Sequence, residues 1–299
     1  MKRYRFAGVG IALESDPEVP GFGVPRGWLA ESPGEGPPDI HLRLETRPLE
    51  IEIPDGPARL KRGGLEARGD SRRMIWSHPD LGAIIDAHPQ GGEVQVGLPQ
   101  WAWERVTSVV DQLLIPALLP PLAARGVRAI HAASVLVGGS AALIGGSSGS
   151  GKTTAALLLL AGGASLIADD LSFLYRDGDR VVVCSLGDGP RAHEDVWLRF
   201  PQFHPRQALP GEKRQLPPDA FPWSASGTVR RVFLLGEKPE AGLRTQALLN
   251  LLSLSYHVGD EENVLRSLLA LLEHVPVRWV SGPEEAATLA LRDTVDGPM

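Results

Sequence analysis

Residues 130–171 read IHAASVLVGGSAALIGGSSGSGKTTAALLLLAGGASLIADDL, and how this stretch is read decides the fold. Its centre, GSSGSGKT at residues 146–153, matches the phosphate-loop pattern G-x-x-x-x-G-K-[ST]. Ahead of it, AALI (141–144) reads as a buried strand; behind it, residues 153–160 are Ala- and Leu-rich, the composition of a helix. Strand, loop and helix thus come in the order a phosphate cradle needs, which a chance Gly/Ser turn would not bring. Gly146, Gly149 and Gly151 let the backbone curl so that successive N–H groups, those of Ser147, Ser148 and Ser150 among them, point inward at phosphate oxygens. The helix start at Lys152, Thr153 and Thr154 adds its partial positive charge. Lys152 would reach the β- and γ-phosphates, and the Thr153 hydroxyl stands where such loops ligate Mg²⁺. The cradle alone leaves the reaction open, because ATPases, GTPases, transporters and kinases share it.

Seventeen residues beyond Lys152, Asp169 and Asp170 follow SLIA (165–168), a second strand arriving in the same sheet. A carboxylate at such a strand end can hold a metal ion, directly or through water, or accept a proton from an incoming hydroxyl; two can divide those jobs. Neighbours in an ideal strand point to opposite faces, so only one of the pair is expected to face the γ-phosphate unless the strand ends or bulges there. A solvated Asp-Asp turn is the plainer alternative. His131 lies fifteen residues before Gly146, in the apolar run VRAIHAASVLV (127–137), which reads as one strand. Spacing alone explains it equally well as a satisfied core or edge histidine and as a catalyst.

Together these parts resemble the catalytic domain of HPr kinase/phosphorylase, whose fold is related to phosphoenolpyruvate carboxykinase. That family has a His, a glycine hairpin, a strand ending in the phosphate loop, a helix, a Gly-containing turn and a strand ending in Asp-Asp. Here the same parts are IHAASVLVGGSAALIGGSSGSGKTT and LLLLAGGASLIADDLSFL. The resemblance implies an α/β (α+β) fold of the HPr kinase catalytic-domain type, ATP and Mg²⁺ as cofactors, and functional positions at His131, Lys152, Thr153, Asp169 and Asp170. Within it, Asp169 resembles the family's base, held near the histidine, and Asp170 looks like part of the Mg²⁺ shell with Thr153.

The chain departs from the bifunctional enzymes in lacking an acidic residue followed by Arg-Gly-Leu-Gly, and in lacking their later Arg-bearing loop used in phosphorolysis. Dephosphorylation by phosphate is therefore not implied. The chain is more similar to divergent HPr-kinase-like proteins encoded beside peptide-modification genes in bacteria, some of which phosphorylate a serine on a ribosomally made precursor peptide. That resemblance implies an ATP-dependent serine kinase acting on a peptide or small protein. A nucleotide-binding regulator without an acceptor, and a small-molecule hydroxyl kinase, fit the same residues. HPr kinases form hexamers, which leaves a homo-oligomer open.

The rest of the chain bounds the class. Its 299 residues are 43% hydrophobic and 22% charged, an ordinary globular composition with enough length for one large domain or two smaller ones. A net charge of −6 argues against nucleic acid or an anionic membrane as the main partner. The single cysteine, Cys184 in VVVC, excludes an intramolecular disulfide and reads as a buried thiol. The N-terminus, MKRYRFAGVGIALES, has no apolar core of signal-peptide length, and the apolar run at 106–124 carries Asp111 and three prolines. Neither reads as a membrane span, and a cytoplasmic location is expected.

Residues 1–100 are expected to form a β-rich module, with one strand at 3–15, a Pro- and Gly-rich loop at 16–38, then IHLRLET, LEIEI, ARLKRG, MIWSH and EVQVGL. In it, His78, His88 and Asp86 lack ligand-like spacing and read as solvated loop positions. Residues 101–126 read as a helical connector in which Pro116 is expected to kink or end the helix and Pro120-Pro121 to break it again. Trp101 and Trp103 read as an aromatic anchor between domains rather than as a stack for adenine.

The catalytic domain is expected over 127–299. After Asp170 come strands at 171–175 and 180–186 around a turn, then a turn at 187–190, where the family resemblance implies residues brought toward the phosphates or the acceptor; Arg191, His193, Glu194 and Asp195 are the candidates, and a solvated charged turn accounts for the same letters. Residues 201–228 read as a loop with Gly211, whose Lys213 and Arg214 could supply positive charge in the transition state, and which a solvated basic loop explains equally well. The family resemblance also places a lysine near Lys213. A strand at 229–235, Leu-rich helices at 245–256 and 261–274, a strand at 275–280 and a helix from Pro283 are expected to cover the sheet.

Overall fold

The computed structural model describes residues 1–16, 19, 29–30, 37–58, 60–62, 64–103, 113–186, 189–203, 213–217, 219–237, 266, 268–270 and 273–295. It is a mixed α/β protein with several sheets. Two compact units meet in the sequence between Val127 and Arg128.

The first unit carries β1 (Lys2–Phe6), β2 (Val9–Ser15), β3 (Leu29–Ala30), β4 (Ile40–Glu45), β5 (Leu60–Arg62), β6 (Leu65–Gly69), β7 (Met74–His78), β8 (Ala83–His88) and β9 (Glu93–Gly97). They form one sheet in the order β3-β1-β2-β4-β9-β8-β7-β6-β5, in which β4 runs parallel to both β2 and β9. Residues 3–15, expected as one strand, fold back as a hairpin. Ala7 (φ 53°) and Gly8 (φ 78°) make a left-handed turn, and β1 pairs with β2 from Lys2↔Leu13 to Phe6↔Val9.

Helix α1 (Gln100–Trp103) and helix α2 (Ile115–Ala124) follow, and α2 packs on β7, β8 and β9. The prolines do not break α2. Pro116 lies in the first turn, where its N–H would have had no helical acceptor; Pro120 and Pro121 each forgo a helix bond inside an element whose residues 115–122 are all buried. Trp103 is buried and donates its indole N–H to the Leu98 carbonyl at 3.1 Å, which anchors it within this unit, while Trp101 is half-exposed.

The solvated-loop reading of His78, Asp86 and His88 is corrected, because His78 closes β7 and Asp86 and His88 lie in β8. Asp86 is buried and receives Arg73 Nε at 3.0 Å and Nη2 at 2.8 Å, one on each carboxylate oxygen.

The second unit carries β10 (Arg128–Ile130), β11 (Ala132–Val137), β12 (Ser140–Gly146), α3 (Lys152–Ala161), β13 (Ser165–Ala168), β14 (Ser172–Asp177), β15 (Arg180–Cys184), β16 (Arg191–Ala192), α4 (Glu194–Leu198), β17 (Arg214–Gln215), β18 (Ser226–Leu235), β19 (Val277–Val280) and α5 (Pro283–Val295). One eight-stranded sheet runs β10-β14-β15-β18-β12-β11-β13, with β19 also on β18; β16 and β17 pair separately. The period-two pattern of β12 sorts its side chains: Ala142 and Ile144 pack with Leu157 and Leu160 of α3 and Ala286 and Ala290 of α5. Ala141 and Leu143 face the other way, onto Ile167, Val183, Val232 and Leu234. Burying each such Leu or Ile contributes roughly 1.5–3 kcal/mol, which is what holds α3, and the loop before it, against the sheet.

The run at 127–137 does not stay one strand. It breaks at His131, because β10 pairs with β14 (Ile130↔Ser172) whereas β11 pairs with β12 and β13 (Ser134↔Ala168). Residues 168–172 cross between the same two ladders. Of the other expected elements, residues 187–188, 204–212 and 245–256 lie outside the described residues. Within 261–274, residues 266, 268–270 and 273–274 are described and are helical.

Candidate functional site

The glycine loop leaves the end of β12, whose parallel neighbour β18 pairs with it up to Gly146↔Leu235. Loops at the carboxyl ends of parallel strands are where α/β sheets receive ligands. Gly146 has φ 156°, and a Cβ there would collide with the Ser150 hydroxyl and press on Leu235. Gly151, the residue capping α3, has φ 100°, and a Cβ there would sit 3.2 Å from Pro283 at the start of α5. Glycine is thus required at both ends of the loop, by neighbours as well as by dihedral angle. Lys152 is buried and donates to the carbonyls of Gly146 (2.9 Å) and Ser147 (3.0 Å), so its ammonium spans the loop from inside. Ser147, Ser148 and Gly149 are exposed at the loop tip; Ser150, Gly151 and Thr153 are half-buried and Thr154 is buried.

Asp169 and Asp170 follow the last residue of β13 in a bend, and their environments are opposite. Asp169 is buried, accepts the Arg191 backbone N–H on Oδ2 at 3.0 Å, and is reached by the Thr153 hydroxyl. Its Oδ1 is a buried oxygen with no hydrogen-bond partner among the described residues. Asp170 is 65% exposed, and its Oδ1 lies 2.6 Å from His131 Nε2. The resemblance had implied His131 beside Asp169 and Thr153 beside Asp170; the structure exchanges these partners. The reason is the pleat, since adjacent residues at a strand end point opposite ways, and the carboxylate turned inward is the first.

The crossing point is held from behind by two serines that the sequence did not single out. Ser172 Oγ donates to the Ala132 carbonyl at 2.8 Å and lies 3.0 Å from Ser134 Oγ, all of them fully buried. These bonds tie the strand that follows Asp170 to the strand that follows His131. Small polar residues in otherwise apolar strands were the one available signal.

Burial pushes Asp169 up to about 6; the Arg191 N–H and the Thr153 hydroxyl pull it down, the Asp170 charge adds to the rise, and Lys213 opposes it. Burial lowers the Lys152 pKa, with the two aspartates acting against that shift and Lys213 adding to it. Lys213 is exposed, immediately before β17, and its charge is felt by both groups. Arg191 enters through its backbone N–H. Of the other charged residues of that segment, His193, Glu194 and Asp195 are exposed at the start of α4, with Glu194 paired to Arg214 at 2.9 Å.

No family model matches the chain, and no curated protein matches it. Among solved structures, one it is similar to is the HPr(Ser) kinase/phosphatase from Coxiella burnetii, at 16% identity and a TM-score of 0.32, covering 56% of this chain and 99% of that one. No helix among the described residues is long and apolar enough to cross a membrane.

Proposed function

We propose that this chain is an ATP- and Mg²⁺-dependent kinase that moves the γ-phosphoryl group onto a hydroxyl, first of all a serine of a peptide or small protein such as a ribosomally made precursor peptide. One observation carries the reading. A glycine loop with a buried lysine, an inward carboxylate on the loop threonine and an outward carboxylate on a histidine converge within electrostatic reach of one another. The choice of a peptide acceptor comes from the sequence resemblance.

In this reading the loop N–H groups and Lys152 hold the β- and γ-phosphates and neutralise their charge. Thr153 and Asp169 fit a hard divalent cation, since both offer oxygen ligands, the Thr153 hydroxyl donates to the Asp169 carboxylate, and Asp169 Oδ1 is a buried oxygen without a partner among the described residues. Bound there, Mg²⁺ would supply charge neutralisation between β- and γ-phosphate oxygens. Asp170, exposed and oriented by His131, takes the acceptor side. As the acceptor oxygen bonds to the γ-phosphorus and the β–γ bridging bond breaks, with its electrons leaving on ADP, the hydroxyl proton passes to the Asp170 carboxylate. Positioning and charge stabilisation supply most of the acceleration.

Intact-mass measurement of a serine-bearing precursor peptide and of HPr, each incubated with the protein, Mg²⁺ and ATP, tests the reading. The expected result is one added phosphate on an acceptor, absent with Lys152→Ala. Tight ATP binding or plain hydrolysis, with no transfer to a peptide, protein or small hydroxyl compound, would favour a nucleotide-operated regulator instead.

A further inference from the structure

Strands β16 and β17 have two residues each, too little ladder to hold themselves in place. A side chain adds to their short ladder. The indole N–H of Trp197 is shared between the Ala192 carbonyl in β16 (2.9 Å) and the Arg214 carbonyl in β17 (3.2 Å). Its ring is 5% exposed, seated in the cluster that includes Leu157 and Leu160 of α3. The Leu216 N–H completes the ribbon on the Pro190 carbonyl at 2.9 Å.

The residue beside Ala192 is Arg191, whose N–H is the backbone donor on Asp169 Oδ2. A buried carboxylate with one unpartnered oxygen depends for its orientation on the groups that do hold it, here the Arg191 N–H and the Thr153 hydroxyl. The Arg191 hold reaches Asp169 from a ribbon whose two short strands share one indole N–H.

We propose that Trp197 is a positioning residue of the phosphoryl-transfer site: by bridging β16 and β17 through a single N–H, it fixes the Arg191 N–H on Asp169. The inference rests on the kinase reading for its consequence in turnover, while the coupling from Trp197 to Arg191 stands on geometry alone. A tryptophan serving only to fill the core would be replaced, for this purpose, by any ring of similar shape. A positioning tryptophan needs its N–H.

Two variants separate these roles. Trp197→Phe keeps a ring and removes the donor; replacing Trp197 by 3-benzothienylalanine removes the donor at nearly constant volume. Amide hydrogen exchange is read at Arg191, with α3 and β12 as internal references, and phosphoryl transfer is followed in parallel. In both variants Arg191 exchange should rise about tenfold while α3 and β12 keep their protection. The kcat for transfer should fall about tenfold with KM for ATP within about twofold, because a carboxylate is misplaced while the loop still binds phosphate.

Unchanged Arg191 protection in a variant with native α3 and β12 overturns the coupling. Faster Arg191 exchange with wild-type kcat reduces Trp197 to a structural part. Should the Phe variant lose protection throughout the unit, the isosteric replacement decides by the same two outcomes. If the wild-type protein transfers phosphate to no acceptor, the kinase reading fails, and with it the turnover half of the proposal; the exchange result then still accepts or rejects the coupling.

Discussion

Asp86 in the first unit and Asp169 in the second are both buried carboxylates at or near strand ends, and their partners differ in kind. Asp86 meets a guanidinium fork at 3.0 and 2.8 Å, with His88 Nε2 a further 3.4 Å away, so its charge is matched within the fold. Asp169 receives a neutral N–H and a hydroxyl, Lys213 acts on it through space, and its charge is felt in turn by Lys152. Its Oδ1 stays unpartnered among the described residues. A carboxylate matched by its own fold is architecture, whereas one buried and left incomplete is, under the proposed function, held for a cation.

The largest effects expected are on transfer. Lys152→Ala and Asp169→Asn should each lower phosphoryl transfer by about a thousandfold or more, and Asp170→Asn by roughly a hundred- to a thousandfold. Calorimetry of ATP binding with and without Mg²⁺ divides the pair: Asp169→Asn should abolish the gain in affinity that Mg²⁺ brings, and Asp170→Asn should keep it. The opposite pattern would return the metal to Asp170 and the proton to Asp169, as the family resemblance has it.

Next in size is the dependence of stability on pH. Asp169 in the folded protein titrates at about 6, above the ordinary aspartate value of 3.8. Between those values the folded chain retains a proton that the unfolded chain has released, so raising the pH favours unfolding. The destabilisation is absent below 3.8 and complete above about 6. Asp169→Asn has no such charge to bury. Without nucleotide or metal, the variant should exceed the wild type at pH 7 by on the order of 2–3 kcal/mol and match it near pH 4, read as global amide exchange in α3. A variant that tracks the wild type across the window would show that the Asp169 charge is already matched, as that of Asp86 is.

Much of this contrast was legible in the sequence, but not its direction. The order of strand, glycine loop, helix and Asp-Asp strand follows from local composition, and the structure has it. Which aspartate turns inward depends on where β13 ends and on the break at His131, and both are set by pairing with strands distant in sequence. The Ala7-Gly8 turn has no clear sequence signature, because alanine seldom adopts positive φ, so the run from β1 into β2 reads as continuous. Pro116 obeys its local rule by starting α2, whereas the breaking tendency of Pro120 and Pro121 is overridden by burial against β7, β8 and β9. Trp197 carried no local signal at all, because its meaning lies in two carbonyls of strands that chain spacing does not bring together.

A smaller effect belongs to the matched carboxylate. Asp86→Ala leaves Arg73 without its acceptor, but the Arg73 side chain is 46% exposed and water replaces part of what is lost. The expected cost is about 1–2 kcal/mol in the first unit, seen as faster exchange in β7 and β8, with ATP affinity unchanged. A change in ATP affinity would break the assignment of this cluster to architecture.

Arg73→Lys sharpens the same point at the lowest amplitude. Lysine preserves the charge and loses the planar fork that places one N–H on each oxygen of Asp86. If the pair acts mainly through charge, lysine should serve nearly as well, and raising the salt should weaken the wild type and the variant alike. If the fork matters, the variant should lose about 0.5–1 kcal/mol in the first unit, and the loss should persist in high salt, because directed hydrogen bonds to a buried acceptor are screened far less than a surface charge. The second outcome is expected, since Asp86 is buried and both of its oxygens are engaged by Arg73. Exchange in β7 and β8 at low salt and at about 1 M salt decides between them, and a salt-sensitive loss would place Asp86 closer to Asp169 than the geometry does.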